Sequence, residues 1–297
     1  QKAGGSTFMK FALQRCCATS IYLRQYESST DAVLNALGVE LVDIKQFSCC
    51  GYPLKNFRYR AYLLSSAHNL ALAEKEHLNI MTMCNCCYGS LKHANQVLKD
   101  HVSEREDINA SLHKEGLQYT GEVAVRHVLD ILHAEIGIEG LQKKIKKRLD
   151  GLPIATHYGC HLLRPRQVAQ FDQPADPSKF DDLVQVTGAK SISWAKKLEC
   201  CGAPLWGIHD ELSLDLTESK LSDAKRAGAA FLCVACPFCQ LQFDRVQRIL
   251  HSRRGTEHAL PSILYTQLMG LALGIDAKTL GIEKNEIDST GILKHFS

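Results

Sequence analysis

The sequence predicts an α/β protein built as two related lobes, each with a small, mostly parallel sheet, over residues 9–150 and 151–297. Two observations predict it. The first is a repeat of cysteines. Cys17 is followed after thirty-one residues by Cys49-Cys50-Gly51, then after thirty-three by Cys84-Asn-Cys-Cys87. The second half replays this order with Cys160, then Cys200-Cys201-Gly202 after thirty-nine residues and Cys236-Pro-Phe-Cys239 after thirty-four. The second observation is that strand-like and helix-like runs alternate between these cysteines. Such an order requires parallel crossovers and so two α/β units, here related by a pseudo-twofold. Ligand sites in open sheets of this kind lie beyond the carboxyl ends of the strands.

Each element has its own reason. Lys10 to Arg15 is a short apolar run that feeds Cys16-Cys17 and reads as a strand. Ser28 to Asp31 can cap a helix whose apolar positions are Val33, Leu34 and Leu37, with Gly38 at its end. Val39 to Ile44 is rich in β-formers and leads to Cys49. From Tyr59 to Leu78, Tyr62, Leu63, Ala67, Leu70 and Ala71 form a helical stripe, and Asn79 to Met83 is the strand that runs into Cys84. A helix is expected from Leu91, a polar surface segment from Asp100 to Gly121, and a helix from Val123 to Ile136. The basic run Gln142 to Arg148 reads as the solvated face of a helix that closes the first lobe. In the second lobe Pro153 to Gly159 leads to Cys160, and Phe180 to Thr187 is a helix closed by Gly188. Leu212 to Ala227 is a helix stopped by Gly228, and Ala229 to Val234 is the strand before Cys236. Pro261 to Ile275 is expected to be a helix, either core or a contact surface for a partner.

Composition narrows the class. The chain has 297 residues, 45% of them hydrophobic and 23% charged, which suffices for a real core. A net charge of +3 gives no reason to expect nucleic acid. No apolar stretch reaches the roughly 18–20 residues of a membrane span. Residues Gln1 to Phe8 read as a tail before a natural start at Met9.

The outlier is thirteen cysteines. An odd number in a large chain argues against a disulfide framework, which belongs mainly to small secreted proteins. Adjacent pairs are awkward to bridge besides, since a trans peptide holds their Cα atoms about 3.8 Å apart. Metal ligation in a reduced, cytoplasmic setting is the expectation. Structural zinc takes four ligands, and a cubane cluster also takes four cysteines. Five per half, with an adjacent pair, points to a cluster of unusual shape, although spacing leaves zinc and cubane open. Pro237 stands where a helix would begin, so the CxxC pairs should sit on a first turn. Gly51 and Gly202 are expected to relieve crowding near the metal.

The two CCG patterns, with His157-Tyr-Gly-Cys-His161, Leu198-Glu-Cys-Cys-Gly-Ala-Pro204 and Cys236-Pro-Phe-Cys239, resemble the cysteine-rich CCG domain superfamily. Within it the chain is similar, from about Met9 to Phe243, to the B subunit of heterodisulfide reductase. The resemblance implies two noncubane 4Fe-4S clusters, each held by five cysteines and facing a shared cavity. There a disulfide, such as that between coenzyme M and coenzyme B, is reductively cleaved. It implies Cys17, Cys49, Cys50, Cys84 and Cys87 for the first cluster, and Cys160, Cys200, Cys201, Cys236 and Cys239 for the second. It also implies two partners from the same heterodisulfide reductase complex, one a flavin-containing subunit and the other ferredoxin-like with cubane clusters. The family has glycine before its first cysteine, where this chain has Cys16. Cys17 keeps the family's interval, so Cys16 is expected to be a packing residue, as are Cys86 and Cys233.

Four further residues complete the expected site. His157 and His161 flank Cys160 and are candidates to deliver protons to leaving thiolates, or else to hydrogen-bond sulfur or backbone. Arg164 and Arg166 are candidates to clamp an anionic substrate tail, with surface ion pairing as the alternative. Against the catalytic reading stand an electron-relay role within another oxidoreductase and a zinc-stabilised interaction module.

Overall fold

A computed structural model describes residues 9–255 and 259–295, and the tail expected over Gln1 to Phe8 lies outside them. Two four-stranded parallel sheets form its frame. The first has the order β2-β1-β3-β4, from β1 (Met9–Gln14), β2 (Val39–Val42), β3 (Asn79–Thr82) and β4 (Val125–His127). The second repeats it as β6-β5-β7-β8, from β5 (Pro153–His157), β6 (Lys190–Ile192), β7 (Phe231–Val234) and β8 (Ser262–Leu264). Every strand pairing is parallel, so helices make the crossovers. The expected α/β architecture of two related sheets is what the chain forms.

Phe11 to Gln14 are all buried because β1 lies between β2 and β3, and β7 is buried along its whole length for the same reason. Two edge strands contradict the expected helices. Val125–His127 and Ser262–Leu264 are three-residue strands that pass directly into helical turns, so their apolar runs merge with those of the helices. The helix expected from Ser28 begins at Arg24. Ser29 does not cap it; its hydroxyl bonds back to Tyr26 O at 3.2 Å and pairs with Thr266 at 2.7 Å. The helix expected from Leu91 spans Asn85–Asp100, because Cys84 serves as its N-cap residue. The basic run Gln142 to Arg148 lies past the short helix Ile138–Gln142 and is not helical beyond it. The backbone N–H groups of Lys146 and Lys147 both donate to Ala272 O, which ties this segment to the C-terminal part of the core.

One continuous hydrophobic core runs through both sheets, from Phe11 to Ile292. Ile263, Leu264 and Leu268 are fully buried in it, so the C-terminal apolar segment is core and not a free contact surface. Two helices reach from the first sheet's side to the second. From Arg24–Ala36, the Tyr26 hydroxyl donates to Ala235 O at 2.8 Å. From Asn85–Asp100, Asn85 Nδ2 donates to Tyr158 O at 2.8 Å and the Tyr88 hydroxyl to Ala169 O at 2.7 Å. Among the described residues no helix is long and apolar enough to cross a membrane.

Candidate metal centre

The cysteines sit where parallel sheets present their ligand-binding ends. Cys16 and Cys17 follow β1, Cys84 follows β3, Cys160 follows β5 and Cys236 follows β7. Cys84 and Cys236 are the N-cap residues of Asn85–Asp100 and Pro237–Leu241, with Pro237 in the first helical turn. Each CxxC therefore brackets a helix start, whose first N–H groups have no intrahelical acceptor.

The CCG tripeptides adopt one conformation in both lobes. Gly51 has φ +80° and Gly202 φ +93°, each leading into a short 3₁₀ turn that contains proline. The expected reason for these glycines needs correction. A Cβ on Gly51 would stand 2.9 Å from Tyr62 O, and one on Gly202 2.8 Å from Ser213 O. The crowding comes from the helix behind each turn and not from the metal side. That helix also fixes the cysteine backbone: Ser66 donates to Cys50 O at 2.6 Å and Thr217 to Cys201 O at 3.3 Å.

In the first lobe the Sγ atoms of Cys16, Cys84 and Cys87 all lie within 4.8 Å of one another. Cys17 is exposed and touches Cys16 and Cys49, while Cys50 joins Cys49 to Cys87. In the second lobe the contacts run from Cys160 to Cys200, Cys201, Cys239 and Cys236. The two series meet, for Cys236 contacts Cys84 and Cys86 across the lobes. Hydrogen bonds from neighbouring thiols hold Cys16, Cys49, Cys200 and Cys236 below the ordinary thiol value, Cys49 and Cys200 at about 2. Thiols packed this closely share their protons, and the thiolate is the form that binds metal. Cys233 stands apart on β7, where burial alone pushes its thiol up. Cys86, taken from the sequence as packing, instead faces a cavity of about 100 Å³. Asn85 shares that cavity with it, opposite Cys160, Cys201, Cys236 and Cys239.

His157 ends β5 with 1% exposure, stacked edge-on against Phe243 at 5.0 Å. A ring nitrogen lies with the Cys201 and Cys239 sulfurs inside one 4.8 Å group, yet neither nitrogen makes a hydrogen bond among the described residues. Burial pushes its pKa well below the usual histidine value, so the ring is neutral. His161 Nδ1 lies 3.4 Å from Cys160 Sγ and 3.8 Å from Cys86 Sγ, and burial lowers its pKa too. Arg164 and Arg166 are exposed and do not line the cavity; Arg164 Nη1 reaches only Leu198 O, at 3.5 Å. Sequence reasoning left Asn85 out, because a single asparagine inside CxxC carries no pattern of its own.

A donor set of soft thiols with an orphaned imidazole beside it fits an iron–sulfur group. Residues 11–92 and 154–244 match the profile of the CCG cysteine-rich domain. The B subunit of the ferredoxin/F420H2-dependent CoB-CoM heterodisulfide reductase of Methanosarcina acetivorans is 39% identical, covering 96% of this chain and 96% of its own. The chain belongs to the CCG cysteine-rich family, with the B subunits of heterodisulfide reductases. The CCG lobes thus mark an iron–sulfur redox subunit. The 8-methylmenaquinol:fumarate reductase membrane anchor subunit of Wolinella succinogenes is also similar, 33% identical over 95% of this chain and 98% of its own. A hypothetical protein from Helicobacter pylori has a similar fold, with a TM-score of 0.75 at 18% identity. That match covers 95% of this chain and 52% of the other, so this chain spans about half that protein's length.

Proposed function

We propose that this chain is the catalytic iron–sulfur subunit of a heterodisulfide reductase-like complex, cleaving a small-molecule disulfide at two noncubane 4Fe-4S clusters. The supporting observation is that two cysteine quintets converge, with Cys84 and Cys86 in contact with Cys236 between them. Cys17, Cys49, Cys50, Cys84 and Cys87 hold the first cluster, and Cys160, Cys200, Cys201, Cys236 and Cys239 the second. When bound, the two clusters together supply the electron pair that an S–S bond consumes. The balance is R–S–S–R′ + 2e⁻ + 2H⁺ giving R–SH and R′–SH. His161, neutral, turns Nδ1 toward both the Cys160 and Cys86 sulfurs and is the candidate to hand a proton to a leaving thiolate. His157 offers an N–H to sulfur. Arg164 and Arg166 meet an anionic tail from the surface.

The relatives' names carry the substrate class, the coenzyme M–coenzyme B disulfide or an analogous one, and a multi-subunit setting. A ferredoxin-like subunit with cubane clusters and a flavin subunit are the partners, in the cytoplasm. The test is anaerobic. The oxidised, iron-loaded chain is mixed with the heterodisulfide and a new paramagnetic signal is sought, and the reduced chain is assayed for released thiols. Signal and thiols together are the expected result.

The similarity to a fumarate reductase membrane anchor subunit favours a second reading, an electron relay without a disulfide substrate. A reduced, iron-replete chain that releases no thiol from any disulfide would establish that reading instead.

A further inference from the structure

The first lobe brings one more thiol to its centre than the repeat requires. Cys16 is 1% exposed, and its Sγ forms the trio with Cys84 and Cys87, all within 4.8 Å. Cys17, the residue that the repeat selects, is exposed and touches both Cys16 and Cys49, and the three line an open pocket of about 450 Å³. The second lobe has no counterpart to Cys16. The residue before Cys160 is Gly159, at φ +74°, and a Cβ there would stand 2.4 Å from Asn85 Nδ2. Cys16 has φ −82° and ψ 139°, extended backbone that any side chain accepts.

We propose that Cys16 is an iron ligand of the first lobe, so that this lobe offers six thiols where the second offers five. The proposal rests on the iron–sulfur reading of the site. Binding exchanges a proton for iron: Cys16–S–H becomes Cys16–S–Fe, the proton leaves to water, and no electron moves. An added thiolate makes the first centre more negative, and net charge is one of the factors that set the potential of such a group. The first centre therefore sits at lower potential than it would with five sulfurs, and electrons are biased toward the second lobe.

Selenocysteine at this position tests the assignment directly. The full chain carrying Cys16→Sec, loaded anaerobically with iron and sulfide, is measured by selenium-edge X-ray absorption. An iron neighbour at bonding distance from selenium is the expected result. Selenium with only carbon neighbours, in protein that shows both iron–sulfur signals, overturns the proposal and leaves the iron–sulfur reading standing. Zinc at selenium, with neither lobe taking iron, overturns that reading and this proposal with it. Cys16→Ala and Cys16→Ser supply a second measurement, redox titration followed by electron paramagnetic resonance. The first centre should move to higher potential and change its spectrum while the second stays where it is. Two unchanged midpoints with full iron content would also overturn the assignment.

Discussion

His127 closes β4 with its ring fully buried between Tyr88 and Phe171, at centroid distances of 5.7 and 6.4 Å. Its Nδ1 accepts the Leu129 N–H at 3.3 Å, a role open only to an unprotonated nitrogen. Burial accordingly pushes its pKa from 6.5 down to about 4. Below pH 4 folded and unfolded chains both carry the proton; between about 4 and 6.5 only the unfolded chain does. Stability therefore rises with pH across that window and is lost as pH falls through it, by about 3 kcal/mol at most. Urea midpoints of the iron-free chain at pH 7 and pH 4 should show this loss. His127→Asn, which retains a capping oxygen, should show it reduced by most of that amount. An unaltered pH slope in the variant would mean that other groups carry the acid sensitivity.

At the scale of elements, the two helices that cross between the lobes join them through buried polar contacts. Tyr26→Phe removes the donor to Ala235 O, and Asn85→Ala removes the donor to Tyr158 O. Each should cost about 1–3 kcal/mol by leaving a buried carbonyl unmatched. Asn85→Ala should in addition perturb the second lobe's iron signal from a position in the first, since Asn85 lines the cavity together with Cys160, Cys201, Cys236 and Cys239. Denaturant midpoints and the resonance spectrum check the two effects separately. These contacts could not be read from the chain, because they join residues 209 and 73 positions apart with no local pattern. What could be read was local. Four strands announced themselves as apolar or β-rich runs ending at or near a cysteine. The two edge strands did not, since three residues of Val-Arg-His or Ser-Ile-Leu are too few to show a period of two. The cysteine quintets were visible as intervals, whereas the inward turn of Cys16 depends on a side-chain direction that intervals do not carry.

For the whole molecule, a core continuous across both sheets makes each lobe depend on the other. Residues 9–150 and 151–297 expressed as separate pieces should each hold little iron and unfold without a sharp transition. Produced together, they should recover both. Iron content and urea unfolding of the pieces, alone and combined, decide this; a stable, iron-loaded single piece would show the lobes to be autonomous. Removing iron from the intact chain with a chelator should lower its midpoint, because a group that binds only the folded state stabilises that state.

The bridging hydrogen bonds also have a position along the chain that matters. Asn85 comes directly after Cys84, and Ala235, which accepts from Tyr26, comes directly before Cys236. The gap between the two sulfur nests is thus gauged at its own edges by short, buried struts. Loosening either strut should therefore part Cys84 from Cys236, the two sulfurs through which the nests touch.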